Sequence, residues 1–310
     1  MEMKRLEELR AEYHERYKKA LRVALVAAAI WVVGSMIFYL VAGGAFVPYV
    51  MYWIGSLIGS VLSALFPFIV VMIVFLFKNR KVFAEYSALY KSVFVERALK
   101  EAFPGCSYRS EAGIERAELA ETGMVNVGDV CRSEDLVAGE YRGMKFRQAD
   151  VLIQERDTDS DGHTTYDTLF RGRWVVFDIK KDFKFKLAVV GKSFQVVSLR
   201  NNDKLHKFRK VKLESGEFHR RFNVYAQDGF EAFYLLDPAF LVRAEKLGEA
   251  YQNRVALLFV DGELHIAVNN FQNSFEAASI RKEIDEKAEI EKVKKDIKLI
   301  TDIVDSLKLK

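Results

Sequence analysis

The chain has 310 residues, half of them hydrophobic and 29% charged, with a formal net charge of +4 and two cysteines. That much apolar sequence excludes a disordered chain, and two cysteines exclude a disulfide framework or a cysteine-built metal centre. The positive excess lies in residues 1–22 and at Lys78, Arg80 and Lys81, so residues 82–310 are near neutral and lack the basic footprint of a nucleic-acid-binding domain.

In chain order, residues 1–21 read as a charged, amphipathic cytoplasmic segment. From Val23 to Phe77 there are 55 residues without one Asp, Glu, Lys or Arg. A single helix of that length would measure about 80 Å against a hydrocarbon core of about 30 Å, so the run is expected to cross a membrane twice. Gly43, Gly44 and Pro48 mark the turn, which gives spans at about 22–42 and 50–77 and places residues 22–77 in a transmembrane helical hairpin. The first apolar stretch is too long, and too far from the N-terminus, for a signal peptide. Basic residues flank the hairpin on one side and the intervening loop is uncharged, so both termini are expected in the cytoplasm. The spans hold no ionisable group, which argues against an ion or proton pathway. Gly55, Gly59 and Ser63 form a small-residue stripe that suits close packing, either within the hairpin or between copies. Pro67 is expected to kink the second span.

Residues 78–310 read as a cytoplasmic α+β domain. Val82, Tyr86, Leu89, Tyr90, Val93, Phe94 and Phe103 keep helical spacing up to Phe103-Pro104-Gly105, where a helix must stop. Short helical turns are expected at Arg116 to Leu119 and at Ser133 to Leu136. Residues 144–155, 168–180, 185–191, 194–200 and 207–213 are rich in Val, Ile, Phe and Thr and read as strands of a largely antiparallel sheet. A further strand ends near Ala226; Asp228 with Glu231 has capping-box spacing, and Asp237-Pro238 supplies an N-cap followed by Pro at the first helical position. Leu257 to Val268 is a β-hairpin turning at Asp261-Gly262. The chain closes with a long charged helix whose apolar seam, Ile290, Val293, Ile297, Ile300, Val304 and Leu307, suits packing on the sheet or a short coiled coil.

Few patterns carry chemistry. Asp157, Asp159 and Asp161 with Gly162 match the opening of a calcium loop, in which carboxylates converge on one hard cation around a sharp turn. Position 12 is Thr168 where a bidentate Glu is needed, and the flanks read as strands, so a polar hairpin tip competes with a metal site. His14, His163, His206, His219 and His265 are scattered, with no metal-ligand spacing on a common element. No nucleophile motif and no phosphate-cradling glycine loop occurs, so no cofactor is implied. Cys106 and Cys131 are expected to be reduced thiols. Lys207, Arg209, Lys210 and Lys212, with Lys204, His206, Arg220 and Arg221, form a basic stretch that fits a charged sheet edge, contact with anionic lipid, or an acidic partner.

The order of features resembles the bacterial two-span membrane protein family catalogued as domain of unknown function thirty-one thirty-seven. The residues that carry it are Phe103-Pro-Gly-Cys-Ser-Tyr108, Ser133-Glu-Asp-Leu136 with Gly139 and Gly143, and Thr168-Leu-Phe-Arg-Gly172. To these are added Phe222-Asn-Val-Tyr-Ala226 with Asp228, Glu231-Ala232 and Leu235-Leu-Asp-Pro238, then Phe259 to Ala267 and Phe275-Glu276. The resemblance implies two spans in a bacterial inner membrane and a cytoplasmic α+β domain, and no activity, substrate or catalytic residue. The expectation is a non-enzymatic, membrane-anchored binding or scaffold protein, partnered by the bilayer and by another protein or its own copies. An anionic-lipid sensor and a membrane-anchored calcium-dependent enzyme are the alternatives.

Overall fold

The charged leader and the first apolar run form one continuous helix, α1 (Glu2–Ala42), rather than a separate segment and span. Pairs three or four residues apart, Arg10 with Glu7 at 2.7 Å, Arg16 with Glu12, and Lys18 with Glu15 at 3.5 Å, support its charged half. The computed structural model describes residues 2–42, 65–179, 186–194, 208–227, 232–233 and 235–307. These fall into two units, Met1–Val93 with Ala277–Asp285, and Phe94–Glu276 with Glu286–Lys310.

In the first unit α1 packs antiparallel against α2 (Leu65–Tyr90). The register is fixed at one end by Arg5 on Glu85 at 2.7 Å, then by Tyr13 and Tyr17 edge-on to Phe75, and farther along by Trp31 beside Phe66. Buried Asn79 is engaged at both ends of its amide: its Nδ2 donates to the Phe75 carbonyl at 2.8 Å and its Oδ1 accepts from Arg16 at 3.1 Å. Among the described residues no helix is long and apolar enough to cross a membrane, so the transmembrane hairpin expected at 22–77 is not supported by them. Half of α1 is charged, and the described part of α2 has apolar sequence only from Leu65 to Phe77 before Lys78. Residues 43–64, with the expected turn and the Gly55, Gly59 and Ser63 stripe, lie outside the described residues.

Beyond α2 the chain passes through a π-helical stretch (Lys91–Glu96) into α3 (Arg97–Ala102), which ends before Pro104 and Gly105 as expected. The second unit is built on a nine-stranded antiparallel sheet. Its strands are β1 (Ser107–Arg109), β2 (Val130–Tyr141), β3 (Met144–Thr158), β4 (Thr164–Asp178), β5 (Leu187–Gly191), β6 (Arg209–Val211), β7 (Phe222–Ala226), β8 (Val255–Val260) and β9 (Glu263–Val268). Their order is β1-β2-β3-β4-β9-β8-β5-β7-β6. Four of the five strands expected between 144 and 213 are found; the fifth, expected at 194–200, falls almost wholly within residues 195–207, which lie outside the described residues, as do Asp228 and Glu231. The β8–β9 turn has Asp261 and Gly262 at positive φ, the geometry its Asp-Gly pair favours.

The helical turn expected at Ser133 to Leu136 is instead part of β2. A bulge between Glu134 and Val137 puts Asp135 at φ 59°, and the amides of Asp135 and Leu136 bond to the carbonyls of Ser110 and Ala112. α4 (Arg116–Thr122), the other expected turn, covers one sheet face, where Leu119 belongs to the same buried cluster as Ala149, Val151, Trp174, Val176 and Leu258. The opposite face meets α3, α6 (Pro238–Ala250) and α7 (Glu286–Leu307): Phe103 lies 4.9 Å from Phe146, and Phe240 lies 5.7 Å from Phe259. Between α5 (Phe218–Arg221) and β7 the stacked rings of Phe218 and Phe222 close the far end. Asp237 caps α6 by accepting from the Phe240 amide at 2.6 Å. In α7, Val293, Ile297, Ile300 and Val304 of the expected seam are buried, and the helix packs beside α3 and α6.

Candidate functional site

β3 and β4 run past their neighbours as a two-stranded arm, exposed from Glu155 to Thr158 and from Thr164 to Asp167. The Asp-rich motif is the tip of this arm. Asp157 sits in β3 opposite Thr165, while Asp159, Asp161 and His163 bring ligand atoms within 4.8 Å of one another. One Asp159 oxygen already accepts the amides of Asp161 (3.0 Å) and His163 (2.8 Å), which closes the turn with Gly162 at positive φ. The basic stretch is dispersed. Arg209 and Lys210 are exposed on the edge strand β6, Lys212 and Arg220 are exposed nearby, Arg221 pairs with Glu249 at 2.9 Å, and Lys207 lies outside the described residues.

The densest polar arrangement is one that the sequence did not point to. On the helix-covered face, Asp150 of β3 and Arg173 of β4 stand opposite each other in register, both buried. After β9 the chain folds back along β4: the Phe271 amide donates to the Arg171 carbonyl at 2.8 Å, and the Arg171 amide donates to the Asn269 side chain at 3.1 Å. This approach is possible because residue 172 is glycine; a Cβ there would collide with the Val268 carbonyl oxygen. Ser274 is thereby laid on the pair. Its backbone N–H donates to one Asp150 oxygen, its hydroxyl donates to the other at 2.8 Å, and the Arg173 Nε–H donates to the hydroxyl oxygen. The Arg173 fork then reaches α7, donating to the Asp296 carboxylate at 2.7 Å and to its main-chain carbonyl, while the Phe275 amide donates to the other Asp296 oxygen at 3.2 Å. The guanidinium also lies 5.9 Å from the Phe275 ring, which meets Tyr108 of β1 edge-on, and the Tyr108 hydroxyl donates to Asp135.

Two carboxyls, buried Asp150 and half-buried Asp296, thus lie against one guanidinium, with buried Asp135 held by Tyr108 beside them. Burial pushes the Asp150 carboxyl up to about 7 even though Arg173 and Ser274 favour its ionised form, and Asp135 adds repulsion. Burial, then the Asp135 charge, raises the Tyr108 phenol, which stays a neutral donor. A serine bonded to an aspartate invites comparison with a nucleophile and its base, yet Ser274 is only 1% exposed and its hydroxyl oxygen accepts from a guanidinium, which withdraws electron density from it. What the arrangement does is tie β1, β2, β3, β4, the segment after β9 and α7 into one unit.

A second cluster lies on the opposite face. Arg147 of β3 donates to Glu118 of α4 at 2.5 Å and to Glu263 of β9 at 2.8 Å. His265 Nε2 stands 3.2 Å from the other Glu263 oxygen, and the Trp174 indole N–H donates to His265 Nδ1 at 3.3 Å. Because indole nitrogen only donates, Nδ1 must accept, so the imidazole is neutral with its proton on Nε2, directed at Glu263. The His265 and Arg147 bonds outweigh burial and hold the Glu263 carboxyl down to about 2. Ligand atoms of Glu118, Glu263 and His265 lie within 4.8 Å of one another, the spacing of a metal centre, but Arg147 already supplies the cation between the two carboxylates.

The blocks that carried the family resemblance converge here: Tyr108, Asp135, Gly172 and Phe275, distant in sequence, all meet around Arg173 and Asp150. Sequence reasoning missed Asp150, Arg173, Ser274 and Asp296; for Asp150 and Arg173 the available signal was a charged residue at an inward position of an apolar strand, and for Ser274 and Asp296 there was none. No curated protein matches the chain. Among solved structures, the crystal structure of the mycobacterial trehalose monomycolate transport factor A, TtfA, is similar at 14% identity, over 71% of this chain and 95% of that one, with a TM-score of 0.37, a likeness too distant to carry an argument. Residues 168–309, from the middle of β4 to the last helix, match the family described as "Protein of unknown function (DUF3137)".

Proposed function

We propose that the chain is a membrane-anchored, non-enzymatic binding or scaffold protein of the bacterial inner membrane, held by a two-span hairpin and presenting its sheet domain to a protein partner in the cytoplasm. The observation that carries the anchor is the outward face of α1 and α2. Phe38 is 67% exposed and Phe77 74% exposed, and Val26, Ile30, Val33, Ile69 and Ile73 are exposed with them. An apolar surface of that extent is not left in water by a monomeric protein, and the charge-free sequence continues through residues 43–64. The binding role is supported by the polar clusters, whose carboxylates and serine are spent on one another, and by the exposed β3–β4 arm, which offers both strand faces and Tyr166 to a partner.

Membranes washed with alkaline carbonate test the anchor; the chain stays with the bilayer, and its release would refute it. Extraction in mild detergent followed by cross-linking and mass spectrometry tests the role. A stoichiometric second protein whose cross-links fall on the arm is expected, and a monomer with no protein partner would overturn the scaffold reading.

A further inference from the structure

The helix pair of the first unit carries a groove of about 590 Å³ whose floor and rim differ in chemistry. Ile73, Leu76 and Phe77 of α2 supply the floor, Phe83 lies two turns farther on, and Arg80 and Arg281 are the charged residues of its lining. Residues 73, 76, 77, 80 and 83 recur at steps of three and four, so they make one stripe along the helix, apolar, then cationic, then aromatic. The four apolar side chains are exposed. No acidic residue lines the groove, and both arginines are exposed with no carboxylate partner among the described residues; Arg281 rests on the Tyr17 ring at 5.4 Å. The polar floor residue, Asn79, has its amide engaged by Phe75 and Arg16 and does not compete for a ligand.

We infer that this groove binds one anionic phospholipid, with its phosphate between Arg80 and Arg281 and its acyl chain along Ile73, Leu76 and Phe77. The inference rests on the membrane-anchored reading and deepens it by naming a ligand. Charge complementarity selects the headgroup, because two guanidiniums without a counter-charge suit a phosphodiester that carries net negative charge. Continuity selects a membrane lipid over a soluble anion. The apolar floor runs on into the exposed apolar face of the same helix, and Phe83 stands beyond the arginines, at the level where aromatic rings favour the interface.

The test is native mass spectrometry of the full chain, released from detergent micelles supplied with phosphatidylglycerol or with phosphatidylcholine, and in parallel its partition into phosphatidylcholine vesicles. One phosphatidylglycerol per chain is expected to be retained in preference to phosphatidylcholine. Arg80→Gln and Arg281→Gln should each weaken it by about tenfold, as loss of a charge-assisted bond does. Lys78→Gln and Lys81→Gln, basic neighbours outside the groove, should leave it unchanged; all four positions are exposed, so the fold survives. Equal retention of the two lipids, or equal losses in the lysine and arginine variants, overturns the site while leaving the anchor intact. Failure to enter the vesicles at all overturns both.

Discussion

Replacing Asp150 by Asn isolates the most unusual electrostatic feature of the sheet domain. The carboxyl titrates at about 7 in the folded chain against an ordinary 3.8, because burial outweighs Arg173 and the two Ser274 bonds. A folded-state value above the unfolded one means that the native chain binds the extra proton. Stability is therefore highest below the unfolded value, falls as pH rises toward the folded value, and is flat beyond it. At about 1.36 kcal/mol per pH unit, roughly 4 kcal/mol is lost across the whole window and about 3 kcal/mol between pH 5 and pH 8. Asn keeps an oxygen for the Ser274 amide and carries no charge, so Asp150→Asn should remove most of that slope and be more stable than the wild type at pH 8. Glu263, held down to about 2 from an ordinary 4.5, contributes stability that rises with pH at the lower end of the window, and because both chains carry it, it cancels in the comparison between them. Urea unfolding followed by Trp174 fluorescence, with Trp31 and Trp53 replaced by Phe, measures the difference between the two chains at each pH. Equal slopes in both, or an Asp150→Asn chain destabilised by several kcal/mol at pH 8, would refute the account and show that Asp150 is held as a carboxylate.

Arg173→Met leaves Asp150 and Asp296 facing each other without a cation and should cost about 3–5 kcal/mol, with accelerated hydrogen exchange in α7 and residues 274–276; a loss below 1 kcal/mol would show the clamp to be dispensable. Gly172→Ala drives a methyl group into the Val268 carbonyl and should destabilise by about 1–3 kcal/mol or more, measured by the same unfolding; tolerance would mean that the segment after β9 can shift. Nitrogen-15 spectra of the imidazoles should show His265 as the Nε2–H tautomer, bonded to Trp174 through Nδ1, and the Nδ1–H form would contradict that bond. Calcium titration of the full chain should give no binding tighter than about millimolar, since one Asp159 oxygen already closes the hairpin tip; micromolar binding lost in Asp159→Ala would restore the metal reading.

Local signals in the sequence determined the elements. Alternation of Val, Ile and Phe gave β3, β4 and β5, Asp261-Gly262 gave the β8–β9 turn, Asp237-Pro238 gave the start of α6, and Pro104-Gly105 gave the stop after α3, because each depends on backbone preferences within a few residues. The same local reading failed at Ser133 to Leu136, where helix-tolerant residues are held in β2 by pairing with β3 and by a bulge whose positive φ at Asp135 no local pattern announces. Strand order β4-β9-β8-β5 was equally out of reach, since pairing across nearly a hundred residues is decided by which faces can be buried together. The seam of α7 was legible as apolar, but that it lies beside α3 and α6 is a tertiary fact. So is the clamp. Asp150 and Asp296, the outermost of the four with Arg173 and Ser274 between them, are 146 positions apart, and each alone reads as an ordinary polar residue. Only the fold, by burying Asp150, Arg173 and Ser274 together and bringing half-buried Asp296 onto the guanidinium, makes these groups depend on one another.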